Sequence, residues 1–435
     1  MIFNTIDPRL AFRSLSHRNY RLYFSGQAIS LVGTWAQRIA MSWLVYRLTN
    51  SAFILGAVGF LGDLPAFLFA PLAGVYADRW NRHRLLVLVQ TLAMIQALVL
   101  ALLVMAGHVA VWHIIVLSVF LGFVNAFDVP TRQSLLVDFI EKKDDLGNAI
   151  ALNSSMVNSA RLLGPSLAGV LIAAVGEGWC FLVNAISYLA VIASLLAMKI
   201  QPKESVPKTS HFWQELKEGF AYVSNFPAMW SILLLLALIS LMGMPFQVLM
   251  PVFARDVLHG GPRTLGFLMG CSGGGALMSA IFLAARPSVS GLDRVIVVAG
   301  SAFGLGLVAF SLSRVLWLSL PLMLVTGFAM TAQMASSNTV LQTIVEDDKR
   351  GRLMSFYTMA YRGMTPLGSL LAGGVASRIG APQTLLFGGL CCIAGATLFA
   401  TKLPSIRETF QPLYPGLSFE SEEVRSIPSS SPEEP

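Results

Sequence analysis

Six charged side chains interrupt stretches of sequence that are otherwise apolar. Arg38, Asp63, Arg161 and Arg362 each stand alone in such a stretch, while Asp128 and Arg132 stand four residues apart in another. Residues four apart share one face of a helix, so Asp128 and Arg132 can form a local ion pair or anchor a helix end at an interface. Asp63 and Asp128 are the acidic groups deepest in apolar sequence, so a proton-driven process would have to use one of them. A lone charge in lipid costs about 2.5–3.5 kcal/mol on insertion scales, and such residues therefore point to function or to a partner. Arg38 lies eight residues before Tyr46, and Asp63 ten residues after Phe53. At 1.5 Å per residue the two sit about 12 Å and about 15 Å deep. Matching depth makes an Arg38–Asp63 ion pair one expectation. The other is that Arg38 faces a central cavity alone and contacts an anionic substrate.

Enzyme chemistry is poorly served. The six histidines, His17, His83, His108, His113, His211 and His259, lie in loops or at the ends of apolar stretches, and no HExxH string occurs. The string Gly270-Cys271-Ser272-Gly273-Gly274 has the form G-x-S-x-G, but it sits in an apolar stretch without a histidine or carboxylate beside it. It reads as glycine-mediated helix packing. No Walker string for nucleotide phosphate is present, and the four cysteines lack metal-ligand spacing. Neither a cofactor nor a metal is expected.

The elements that position these charges follow from composition. Only 12% of the 435 residues are charged and 55% are hydrophobic. A soluble domain carries about 25% charged residues, so this chain cannot cover a water-facing surface. Twelve apolar stretches reach the roughly 20 residues a spanning helix needs, the first near 23–46 and the last near 382–400. With the N-terminus inside, 22 of the 30 lysines and arginines fall in cytoplasmic segments, five in outer ones and three within spans. That asymmetry puts both termini in the cytoplasm. It also accounts for the net charge of +7 without nucleic acid. The long connection 199–227 contains an amphipathic stretch, His211–Ser224, suited to lie on the inner leaflet. The Pro-, Ser- and Glu-rich segment 401–435 reads as a disordered tail.

The chain also repeats itself. At an offset of 204, Asp144, Gly147, Gly164, Ala168 and Gly169 fall on Asp348, Gly351, Gly368, Ala372 and Gly373. At an offset of 210, Leu55-Gly56 falls on Leu265-Gly266. The expected architecture is all-α and polytopic: one six-helix half over 1–198, a linker over 199–227, and a second, parallel half over 228–400. Parallel halves around a midplane site are a transporter arrangement.

Between spans two and three, Gly74, Asp78, Arg79, Arg82, His83 and Arg84 stand in a pattern that resembles the G-x-x-x-D-R-x-x-R-R/H-R signature of the major facilitator superfamily. Gly74 lets a helix approach closely, and Asp78 can accept from helix N-terminal amides. Asp78 is expected to serve the conformational cycle rather than substrate affinity. Gly164, Pro165 and Gly169 in span five resemble the superfamily's antiporter motif g-x-x-x-G-P-x-x-G-G, with Ala160 and Ala168 where that pattern prefers glycine. The segments Trp43–Thr49, Pro130–Leu135 and Leu146–Asn153 are most similar to the branch of siderophore exporters and multidrug efflux proteins.

This resemblance implies that spans one, four, seven and ten line the cavity. They offer Gln27, Gln37, Arg38, Asn125, Asp128, Gln247, Gln333 and Asn338, with Trp35, Phe246 and Met330 among their apolar neighbours. Asp63 and Arg161 join from spans two and five. That mixture suits a small amphipathic organic molecule such as a drug or siderophore. The expectation is a monomeric, proton-coupled exporter in the inner (plasma) membrane. Importer and non-transporting sensor or assembly protein are the alternatives.

Overall fold

The computed structural model describes residues 12–140, 142–198, 221, 223–224, 226–286, 288–346 and 349–410. The twelve expected spans all fall on helices. The first half holds α1 (Arg18–Thr49), α2 (Ala52–Arg79), α3 (Arg82–Met105), α4 (Val111–Asp138), α5 (Leu146–Val175) and α6 (Glu177–Leu196). The second holds α7 (Pro227–Val257), α8 (Pro262–Ala284), α9 (Leu292–Leu312), α10 (Leu316–Ile344), α11 (Arg350–Thr358, Met359–Gly363 and Met364–Ile379, end to end) and α12 (Ala381–Phe410). Ten of these are long and apolar enough to cross a membrane. The other two, α1 and α11, each carry four arginines and are of spanning length, so twelve crossings are consistent with the structure. The linker's amphipathic stretch lies largely outside the described residues, as does the chain after Phe410. Of the segment read as tail, the first part continues α12.

Local chemistry sets the helix ends and bends. Gly176 and Gly380 close α5 and α11 with φ of 92° and 90°, values that favour glycine. They too are 204 residues apart, so the repeat extends past the five matched positions. In α7, π turns at Ile239–Gly243 and Phe253–Val257 flank Pro245 and Pro251, which cannot donate to the helical ladder.

The charge asymmetry expects the Thr49 end of α1 at the outer face, and outer and inner below name the two ends of the helices on that expectation. One buried core runs through the outer part of the first half, including Leu44, Leu55, Ile172 and Phe181, and continues into Leu249, Phe253 and Leu265 of the second. The inner part of the first half packs separately, around Tyr20, Leu86, Leu135, Phe139 and Met156. The halves thus share a core at the outer side, while the inner part of the first half keeps its own.

Two glycine seams make that junction. A Cβ on Gly56 would lie 2.9 Å from Cα of Gly373, and one on Gly169 would lie 2.9 Å from Cα of Gly266. So α2 meets α11 and α5 meets α8 backbone to backbone. Small residues permit this close approach where no hydrophobic force drives helices together in lipid.

Candidate functional site

The outer ends of α1 and α7 are tied across the halves. The Tyr46 hydroxyl donates to Oδ2 of Asp256. Arg255 Nη1 donates to Oδ1 of Asn50 at 2.6 Å, and its guanidinium lies 5.8 Å from the centre of the Tyr46 ring. Of these four residues the sequence pointed only to Tyr46, within the Trp43–Thr49 segment; Asn50, Arg255 and Asp256 read as ordinary polar residues at the ends of spans.

Arg38 and Asp63 do not pair. No ion pair joins them among the described residues, and both side chains are exposed in outline. Their depths agree, but their directions around the helix axes do not. Gly59 and Phe67, one turn either side of Asp63, face α11 through Ser369 and Gly363. Arg38 instead follows Trp35 towards α5, with its guanidinium 5.0 Å from the Trp35 ring centre. Arg161 of α5 approaches the same ring to 5.6 Å.

Asp128 is 6% exposed and fully engaged. It takes Arg132 as its ion-pair partner, and its Oδ1 accepts from Nε2 of Gln90 at 2.6 Å. Of the two open readings for this pair, the structure holds the local ion pair. Gln37 is also committed, in a buried chain across α1, α3 and α6: it donates to Gln96 at 2.9 Å and accepts from Asn184 at 2.7 Å. Gln90 and Gln96 were missed because the cavity argument passes over span three. Gln27 and Gln333 are buried, and Gln333 donates to Ser337 at 3.2 Å. Among the described residues its Oε1 has no partner. Asn125, Gln247 and Asn338 are half-buried, and Asn338 accepts from Gln342 at 3.1 Å. The structure therefore brings together Arg38 and Arg161, but not the polar set as a whole.

Part of the loop motif can be followed. Arg82 reaches Asp138 of α4 at 3.9 Å, His83 meets the Leu195 carbonyl of α6 at 2.8 Å, and the Asn81 side chain caps α3 by accepting from the Arg84 amide at 3.1 Å. The side chains of Gly74, Asp78 and Arg79 lie outside what the structure describes. In the span-five motif, Gly164 packs on the Trp35 Cβ at the back of α1, and Gly169 on α8. Pro165 is buried within α5.

Two parallel six-helix halves, closed on one another along glycine seams with charges between them, define a secondary transporter of the major facilitator fold. Solved structures agree on the fold: a POT family transporter in complex with 5-aminolevulinic acid aligns with a TM-score of 0.71 at 12% identity, covering 89% of this chain and 96% of that one. The nucleoside transporter NupG aligns at 0.69 and 14%, covering 88% and 99%. The chain belongs to the transmembrane secretion effector family, whose model matches residues 10–425. Among its relatives, the staphyloferrin A transporter of Staphylococcus aureus is 26% identical over 87% of this chain and 95% of its own length. The macrolide efflux protein A of Streptococcus pyogenes is 22% identical over 87% and 96%. The enterobactin exporter EntS of Shigella boydii is 24% identical over 83% and 86%. The chain is a multi-pass membrane transporter and not an enzyme.

Proposed function

We propose that the chain exports a small amphipathic organic molecule, of the drug or siderophore kind, from the cytoplasm in exchange for protons. The observation that carries this reading is the divided core: the halves are fused at the outer side and the first half packs separately at the inner side, as suits a carrier that loads from within. Relatives named for enterobactin export and macrolide efflux support the direction. Among the acidic groups of the spans, Asp63 suits the proton, since Asp128 is held by Arg132 and Gln90. Everted membrane vesicles given an inward-acid pH gradient should accumulate one or more members of a panel of drugs and siderophores. Asp63→Asn should remove the dependence on the gradient. Wild-type accumulation that ignores the gradient, or a variant that still follows it, ends the proton assignment.

On this reading the protein acts as a monomer, without nucleic acid, and the Asp78 loop times the inner face. Both termini and the linker are assigned to the cytoplasm on the charge split. A reporter active only outside the inner membrane, fused after Lys402, should stay silent, and strong activity would reverse the assignment.

A further inference from the structure

Arg38, Arg161 and Arg362 have no carboxylate partner among the described residues. Two of them converge. The guanidiniums of Arg38 and Arg161 lie 5.0 Å and 5.6 Å from the centre of one ring, that of Trp35. Trp35 faces α5, with its Cβ against Gly164, and Arg161 stands three residues from that glycine near the middle of α5. From there Arg161 reaches towards α10, its Nη2 4.0 Å from the sulfur of Met330. Tyr361 of α11 lies within electrostatic reach of it. Arg161 thus stands where elements of the two halves meet, and Arg38 stands beside the same ring.

Two like charges held beside one ring repel. The deep carboxylates do not relieve them: Asp128 is occupied by Arg132, and Asp63 sits on the stripe of α2 that faces α11. A site with two unneutralised guanidiniums beside an aromatic face has a standing demand for anionic groups. Guanidinium matches carboxylate geometry through paired hydrogen bonds, one carboxylate to each fork. The Trp35 ring beside them offers an apolar surface to the body of the same molecule.

We propose that Arg38, Trp35 and Arg161 form the substrate site, and that the substrate is an organic anion bearing two carboxylate-type groups on a flat or apolar body. This rests on the export reading above and narrows its substrate class. A monoanion leaves one arginine uncompensated, and an organic cation meets repulsion.

The test uses the full chain in lipid nanodiscs, titrated with isophthalate, benzoate and tetraphenylphosphonium. Isophthalate should bind more tightly than benzoate, and tetraphenylphosphonium should not compete. Arg38→Gln and Arg161→Gln should each weaken isophthalate about tenfold or more, as expected for loss of a charged hydrogen-bond donor. Arg38→Lys should retain part of the affinity, because the charge stays. Isophthalate binding that survives both glutamine variants overturns the site. If those variants do not fold, the wild-type order decides alone: tetraphenylphosphonium bound in preference to isophthalate overturns it equally. Vesicle transport separates this from the export reading. Arginine-dependent isophthalate binding without accumulation in everted vesicles leaves the site and removes export. Gradient-driven accumulation of tetraphenylphosphonium that both glutamine variants retain leaves export and removes the anion site.

Discussion

Gly266→Val should hold the outer face of the carrier open. A Cβ at Gly266 would lie 2.6 Å from the carbonyl oxygen of Pro165 and 2.7 Å from Cα of Gly169. These are backbone atoms of α5 and cannot rotate aside, so α5 and α8 must separate. The change raises helix propensity, which removes loss of helicity as an explanation. Overpacking of this kind costs about 1–3 kcal/mol. The cost falls on the outward-closed state alone, so it shifts the conformational equilibrium about 5- to 150-fold. The readout is the labelling rate of Leu55→Cys, at a buried position beside the α2 seam, by an impermeant maleimide added from outside. Labelling should rise by that factor, and transport should fall. Gly56→Val, which presses on Gly373, should act in the same direction. Gly374→Ala, with open space around its Cβ, is the control and should change little. A labelling rate unmoved by either valine means the seams do not govern the outer face.

Arg132→Gln should be the most destabilising single change among the charged residues of the spans. It leaves the Asp128 carboxyl group buried with only the Gln90 amide beside it. Removing one partner of a buried pair costs about 3–5 kcal/mol, largely because the remaining charge is uncompensated. Adding Asp128→Asn removes that charge and should recover most of the loss. Thermal unfolding of the purified protein in detergent, read as a shift in midpoint across the two single variants and the double, checks this. If the double variant is no more stable than Arg132→Gln, the pair does not account for the effect.

How much could be read beforehand divides along a physical line. Rise along a helix is constant, so span order, depth and the matching levels of Arg38 and Asp63 followed from counting residues. Rotation about the helix axis is decided by what packs where. Gly164 seats Trp35, and with it Arg38 turns towards α5; Gly59 and Phe67 turn Asp63 towards α11. No count along one chain segment supplies that. The glycine repeats show the same limit. Self-comparison aligns Gly169 with Gly373 and Gly56 with Gly266, yet the contacts cross between repeats, Gly56 on Gly373 and Gly169 on Gly266. A duplicated sequence reveals which positions are equivalent and is silent on which of them touch. Gln90, Gln96 and Asn184 escaped notice for a related reason: each looks like a lone polar residue until its partner on another helix is known.

Those crossed contacts have the form of the interface in a symmetric dimer, where one patch meets its own copy in reverse order. In a true homodimer a single codon change alters both contacts together. Here the two copies are written in one gene, so each seam can change alone. The α5–α8 seam stays small along its length, with Gly270 on Ser166 and Gly273 on the Arg161 backbone, whereas the α2–α11 seam ends with the Phe67 ring on Gly363. Duplication has thus freed one side of the gate to become a ring-against-glycine joint while the other keeps its backbone contact, an inequality that two identical subunits could not inherit.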